Sequence, residues 1–518
     1  MSLKRFIVAL CLCLPLLSIT AASDADARVG GGSSYRGSRS FSSSSRSSGR
    51  SSSSSRSSSS SRSSGSYAGG GVSYGGGGGS LSGAGVMGLL FLFGGVLFFL
   101  WLASRFAKSS QTPIYGGGDG HDDDHRHVEV LPPSRGALGR RIDPTFSEVL
   151  FNERAVLLLT RALQAALDPA ALEALSPYLT PTVVERLRGR STARTVGVTV
   201  GKIAIETLRR VDVPNGPPAI VAKVNVHLNR HTEQAGTSTS YWSHERWTFV
   251  KPIGTAVVRD DDTVSRFGCP GCGSTIERDS FGRCVHCGTS LQPGEADWTV
   301  QSFEVVQEEH QGPLLTQDVH EVGTDAPTVK DDSVFDDADR LIGADERNRF
   351  LLRARDVFTN LQEHWSAGRL EGLRPFETDA LFQSHRFWLE EYKRQGLRNV
   401  ISDLDIEGVE LCRVEEDGAH VVAMCRIAAS CKDATVRVDN GRVVGGNARS
   451  TRRFTEYWTF VKHKDAKGSS SMQQCPSCGA PLQISQTGTC DFCQAKVTLG
   501  RFDWVASRIE QDEEIGGE

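Results

Sequence analysis

Neither sign of charge is in excess in this chain. Its 518 residues carry 58 Lys and Arg against 62 Asp and Glu, for a formal net charge of −4 at pH 7. That balance argues against bulk nucleic-acid binding, which draws on a basic face. There is no glycine-rich phosphate loop and no nucleophile–base constellation, so no reaction is announced. No cysteine of the leader sits in a lipoprotein box. An open catalytic metal site is also missing, because the metal-type cysteines come in closed fours.

What the chain does have is a pattern written twice. Trp247-Thr-Phe-Val-Lys251 is followed by Cys269, Cys272, Cys284, Cys287 and then Asp297-Trp298. Trp458-Thr-Phe-Val-Lys462 is followed by Cys475, Cys478, Cys490, Cys493 and then Asp503-Trp504. The cysteines and the Asp-Trp pair recur 206 positions on, which marks an internal repeat. Each quartet reads C-x2-C-x11-C-x2-C. A C-x-x-C turn places two sulfurs together, and two such turns complete the tetrahedral shell of Zn²⁺. The spacing therefore predicts two structural zinc ribbons, one Zn²⁺ each, with no position left for an activated water. Gly273, Gly479 and Gly288 follow the knuckles, but Gln494 stands where copy one has Gly288. Of the thirteen cysteines, Cys11 and Cys13 lie in the leader and Cys412, Cys425 and Cys431 remain over. Unpaired thiols and zinc thiolates fit a reducing compartment.

The N-terminal part reads as a membrane attachment. Residues 1–27 have the basic start, apolar stretch and small-residue cleavage positions of a secretory signal. Residues 28–83 are a Ser/Gly/Arg-rich tether with too little apolar surface to order. Residues 84–103 carry no charge and match the length of one transmembrane helix. Arg105 and Lys108 follow at once, which puts the C-terminal side in the cytoplasm. The expected location is a bacterial inner membrane crossed once, with a periplasmic C-terminal part as the alternative. Residues 104–141 form a linker in which His121 to His127 reads as a solvated spacer, with loose binding of a metal ion as the alternative for such a His/Asp tract.

Two domains follow, 142–310 and 346–510, joined by an acidic linker at 311–345 and ending in a tail at 511–518. In the first, Val149, Val156, Leu159, Leu163 and Ala166 share a helical face. Asp168-Pro169 and Thr180-Pro181 open two shorter helices, and Gly189 suits the end of the second. Ile220 to Leu228 alternates with period two, Tyr241 to Lys251 is a further strand, and Trp298 to Val306 closes the sheet. In the second, Phe350, Ala354, Val357, Leu361 and Trp365 line a helix, and Thr378 caps another that ends near Gly396. Val421, Ala423, Cys425, Ile427, Ala429 and Cys431 form an inward strand face. Helices first and antiparallel strands after make the fold class α+β.

Phe350-Leu-Leu-Arg-Ala-Arg-Asp-Val-Phe358, Leu361-Gln-Glu-His-Trp365, the turn at Gly368 to Leu373 and Trp458-Thr-Phe-Val461 resemble the Tim-forty-four-like domain. The layout also resembles bacterial members of that family, down to Ala27-Arg-Val-Gly-Gly-Gly32. The resemblance extends more weakly over 142–310. It implies cone-shaped domains of the nuclear-transport-factor-two-like type, each here interrupted by a ribbon before its last strand. It also implies membrane lipids and membrane or translocation-associated proteins as partners. The expected function is a non-enzymatic, membrane-tethered scaffold. Two alternatives are weighed. An enzyme of the same fold would use a pocket base among His227, His244, Glu245 and Glu456. A ribbon that binds nucleic acid would have only Arg278 and Arg283, or Lys496, to offer.

Overall fold

The computed structural model describes residues 131–511 apart from 132, 191, 215, 256–266, 296, 311–314, 317–326, 467–473, 476 and 486–487. The signal segment, the tether, the apolar span at 84–103, the His121–His127 tract and all but the first residue of the tail lie outside the described residues. Among the described residues no helix is long and apolar enough to cross a membrane.

Helices come first in each half. They are α1 Arg135–Ile142, α2 Glu148–Gln164, α3 Pro169–Ala174 and α4 Pro181–Arg190, followed by β1 Arg194–Val211, β2 Ala219–Gln234, β3 Thr237–Pro252 and β4 Thr299–Glu309. The second half runs α5 Val334–Leu341, α6 Ala344–Ser366, α7 Leu370–Leu373 and α8 Asp379–Arg394, then β5 Leu397–Asp417, β6 His420–Arg437, β7 Val443–His463 and β8 Val505–Gln511. Each half holds a four-stranded antiparallel sheet in sequence order, β1-β2-β3-β4 and β5-β6-β7-β8. The mixed α+β class is what the sequence predicts. The long first strands β1 and β5 have no clean alternation, since bulges at Val200/Lys202 and Leu411/Arg413 reset which face each residue takes.

The repeated motifs do the same work in both halves. Phe151 meets Trp298 at 4.7 Å and 62°, and Phe350 meets Trp504 at 4.8 Å and 61°. Phe151 also meets Phe249 at 5.4 Å, as Phe350 meets Phe460 at 5.5 Å. Lys251 pairs with Asp143 at 2.7 Å over the Trp298 ring, and Lys462 pairs with Glu346 at 2.5 Å over the Trp504 ring. Asp297 and Asp503 each accept their own tryptophan's backbone N–H and bind Arg154 and Arg353. Arg154, Asp143 and Glu346 are absent from the sequence reading, and Arg353 enters it only inside the stretch Phe350 to Phe358. The recurrence of Phe-x-x-Arg at 151–154 and 350–353 is the signal that finds the two arginines.

Three local readings change. The helix α4 runs through Gly189 to Arg190 instead of stopping there. The acidic stretch 311–345 carries α5, with Val334 and Ala338 buried in the second core. Val334, Ala338 and Leu341, at i, i+4 and i+7, form the one helical face that betrays it within an acidic composition. Residues Arg135–Ile142, read mostly as linker, form α1.

All described residues fall in one compact unit, and α2 explains how the halves join. Its apolar residues face two ways, so most of its circumference is buried. Phe151, Ala155, Leu158 and Ala162 enter the first core, while Val149 packs on Val422, Val461 and Val505 from the outer face of the second sheet. The helix ends are capped across the junction. Asp417, from β5, accepts the N–H groups of Glu148 (3.1 Å) and Val149 (2.8 Å) at the start of α2. Glu153, from α2, accepts the N–H of Ala380 (2.8 Å) at the start of α8. Thr378 is the N-cap residue as expected, but its hydroxyl does not cap the helix. The partner half supplies that carboxylate instead, a long-range cap that local sequence cannot display. Farther along, His231 bonds Glu391 at 2.9 Å and stacks on Phe387 at 4.9 Å.

This junction is expected to weaken with rising pH. Burial pushes Glu153 from its ordinary 4.5 up to about 7. The folded state therefore holds this proton more tightly than the unfolded one. That contribution is full below about 4.5 and is lost as pH rises through about 7. In Glu153→Gln the amide oxygen still accepts from Ala380, so the variant should lose this slope and gain up to ~3 kcal/mol at pH 8. Urea unfolding at pH 5 and pH 8 measures it; equal slopes in variant and parent would refute the assignment.

Candidate functional site

The cysteine quartets lie between β3 and β4 and between β7 and β8. In each, the four sulfurs lie within 4.8 Å of one another. Cys269 and Cys287 are 3.5 Å apart and Cys272 and Cys284 3.9 Å; Cys475 and Cys493 are 3.8 Å apart and Cys478 and Cys490 4.0 Å. A tetrahedron with Zn–S bonds of about 2.3 Å has sulfurs about 3.8 Å apart. A disulfide needs about 2.05 Å, so none is formed. The knuckles bring backbone N–H groups to the first sulfur of each set, Gly271 to Cys269 at 3.3 Å and Ser477 to Cys475 at 3.4 Å. Gly273, Gly288 and Gly479 take φ of +73°, +74° and +72°, and Gln494 adopts +61° at the position that is glycine in copy one. The donor set and its spacing fit a thiophilic divalent cation.

Electrostatics agree with that fit. Burial pushes Cys269 up to about 12, while the Ser274 hydroxyl draws Cys284 down to about 6. Burial pushes Cys475 up to about 11, and the Ala495 amide draws Cys493 down to about 7. Four thiols this close cannot all ionise at neutral pH without a cation among them. The other three cysteines, Cys412, Cys425 and Cys431, are buried among apolar residues of the second half.

The two quartets are mounted differently. The first is held to its own half, by Tyr178 Oη on the Gly268 carbonyl (2.5 Å) and by Arg278 on Ser176 (2.5 Å). The second reaches the junction. Lys496 Nζ lies 2.6 Å from Asp379 and Thr498 Oγ1 3.0 Å from it, while Arg374 bonds the same carboxylate. Asp379 precedes Ala380, whose N–H Glu153 accepts. Gly488 takes φ +79°, and a Cβ there would come within 3 Å of Arg374, Thr498 and Asp379.

The residues weighed as catalytic bases have structural partners. Glu245 and Glu456 are fully buried, and each accepts the indole N–H two residues on, Trp247 and Trp458, at 2.9 Å. Glu245 also pairs with Arg190 at 2.7 Å. His227 and His244 face each other across β2 and β3 with ring centroids 4.7 Å apart. The sequence reading passed over a second buried acid–imidazole pair, Glu377 and His385 at 2.5 Å, which lies beside Trp365.

Between the halves lies a cleft of about 400 Å³, walled by α2, β1 and α8 on one side and by the outer face of the second sheet on the other. Its apolar wall includes Val156, Val200, Ile203 and Met424.

A Tim44-like domain is found at residues 346–471, which spans α6 to β7 and stops short of the second quartet. No curated protein matches the chain.

Proposed function

We propose that this chain is a membrane-tethered, non-enzymatic scaffold that holds proteins or lipids at a bacterial inner membrane, in service of protein transport or envelope biogenesis. The observation that carries the reading is the Tim44-like domain at 346–471, since such domains have membrane-associated binding and scaffold roles. The first half shares the second's strand order and its Trp-Thr-Phe-Val-Lys and Asp-Trp contacts, which supports two copies of one α+β unit of the cone-shaped type. The apolar run at 84–103 would tether both copies, with the cytoplasm as their side of the membrane.

Cys269, Cys272, Cys284 and Cys287 would hold one Zn²⁺, and Cys475, Cys478, Cys490 and Cys493 a second. When bound, each ion supplies a closed cross-link of the chain with no open coordination position. The protein's own groups do the rest: the knuckle amides orient the sulfurs, Tyr178 ahead of α4 holds the first ribbon, and Asp379 at the start of α8 holds the second through Lys496.

In-cell crosslinking of the full chain, followed by purification from solubilised membranes, tests the scaffold reading. Recovery of defined membrane or translocation components is expected, and recovery of none would end it. A reporter fused after Glu518 tests the topology, with activity expected only for a cytoplasmic reporter.

A further inference from the structure

The two quartets share one cysteine spacing but not the same neighbours. In the first, the residues two positions past Cys272 and Cys287 are Ser274 and Thr289, whose hydroxyl oxygens lie 3.1 and 3.3 Å from those sulfurs. Once the sulfurs are thiolates, these hydroxyls donate to them, and a thiolate stabilised in that way is a weaker nucleophile. The repeat places Ala480 and Ala495 at the same positions past Cys478 and Cys493. Alanine has no side-chain donor to offer. All four of these cysteines are exposed, so what distinguishes the second pair is the missing hydroxyls.

The backbone differs in the same sense. Every described residue of the first ribbon in the left-handed region is glycine, at 273, 282, 288 and 294. The second ribbon sets Gln494 at φ +61° and Leu499 at +65°. A side chain there crowds the following carbonyl, and such strain persists only where the surroundings enforce it. Gln494 follows Cys493 directly, so release of the gathered sulfurs lets it relax. Between these two strained residues lie Lys496 and Thr498, which bind Asp379 at the start of α8 at 2.6 and 3.0 Å. The next residue, Ala380, gives its N–H to Glu153 of the other half.

We propose that the second ribbon is a redox-sensitive clasp on the junction between the halves. Peroxide oxidises Cys493 and Cys475 to a disulfide, the ribbon gives up its metal ion, and the hold of Lys496 and Thr498 on α8 slackens, while the first ribbon stays closed. The Cys493 thiolate attacks a peroxide oxygen, becomes a sulfenic acid and releases hydroxide. The Cys475 thiolate, 3.8 Å away, then forms the S–S bond and expels a second hydroxide. Two thiolates are oxidised and one peroxide is reduced. The two sulfurs that remain are too few for a closed shell. The proposal rests on the metal reading and adds what opens the site and what its opening does.

The test uses the full zinc-loaded chain in nanodiscs, with hydrogen peroxide as the probe. Zinc per chain is expected to fall from about two to about one, with a Cys475–Cys493 disulfide in the peptide map and faster amide exchange at residues 379–382. Dithiothreitol with added Zn²⁺ should reverse all three. Gln494→Gly/Ala480→Ser/Ala495→Thr, which gives the second ribbon the residues of the first, should slow its zinc loss about tenfold. The converse Gly288→Gln/Ser274→Ala/Thr289→Ala should make the first ribbon open as readily as the second. The peptide map and exchange of the unaltered chain decide the matter if neither variant folds. Loss of both ions at one rate, no disulfide, or unchanged exchange at 379–382 after one ion has left overturns the proposal and leaves the metal reading standing. A chain that holds no zinc before oxidation ends the metal reading and the clasp with it.

Discussion

Asp379→Ala is expected to cost ~3–5 kcal/mol, the largest loss of any single substitution considered, because it strands two buried cations. Asp379 is 3% exposed, Arg374 2% and Lys496 3%. Burial alone would raise the Asp379 pKa, but the charges of Arg374 and Lys496 outweigh it and hold the carboxyl below its ordinary value. The group is therefore ionised in the folded protein, and its contribution is present above the ordinary value and lost as pH falls below it. Removing the carboxylate takes from a buried guanidinium and a buried ammonium the charge that both bind directly. Urea unfolding measures the loss. The double variant Asp379→Ala/Lys496→Met should recover part of it, since one stranded charge is gone. A loss under ~1 kcal/mol would mean that water reaches the site and that the junction is not built as described.

Metal removal should give the second large effect, and an unequal one. Chelation of the purified full chain is expected to release about two Zn²⁺ and to expose eight thiols to a thiol reagent, one quartet per ion. Release of none would end the metal assignment. Because Lys496 and Thr498 bind Asp379, disorder in the second ribbon should reach α8 and the cap on Glu153. Among the described residues the first ribbon is held to its own half, through Tyr178 and Arg278. Cys475→Ser should therefore lower global stability by roughly 2 kcal/mol more than Cys269→Ser, the cost of leaving a charged hydrogen bond unmade. Equal losses would show that the two ribbons are mounted alike. Hydrogen exchange at residues 379–382 gives the local readout: protection there should fall in Cys475→Ser and not in Cys269→Ser.

The Glu153 result belongs with these two. Asp379, Ala380 and Glu153 form one path from the second quartet to α2, so loss at any of them should weaken the contact between the halves. Asp417, at the start of α2, is held by Arg140 at 2.7 Å as well as by the helix amides, and gives that start a cap independent of the metal. The junction thus has one fastening tied to the ribbon and one that is not.

What the sequence determined alone is whatever rests on near neighbours or on repetition. Eight cysteines at ligand spacing need only short turns to meet, and they do meet. The inward face from Val421 to Cys431 follows from the period-two geometry of any strand. Trp-Thr-Phe-Val-Lys and Asp-Trp stand out because they occur twice, although their reason, a lysine over a tryptophan and an aspartate on an arginine, is visible only once the helices are placed. Tertiary structure alone decided the junction. Glu153 and Asp417 read as ordinary surface carboxylates because nothing within several residues of either needs them. Each caps a helix more than 200 positions away. Burial on two sides of α2 and the cap at the start of α8 follow from how two halves pack. Packing depends on shape and desolvation across long separations, which no local pattern of residue types records.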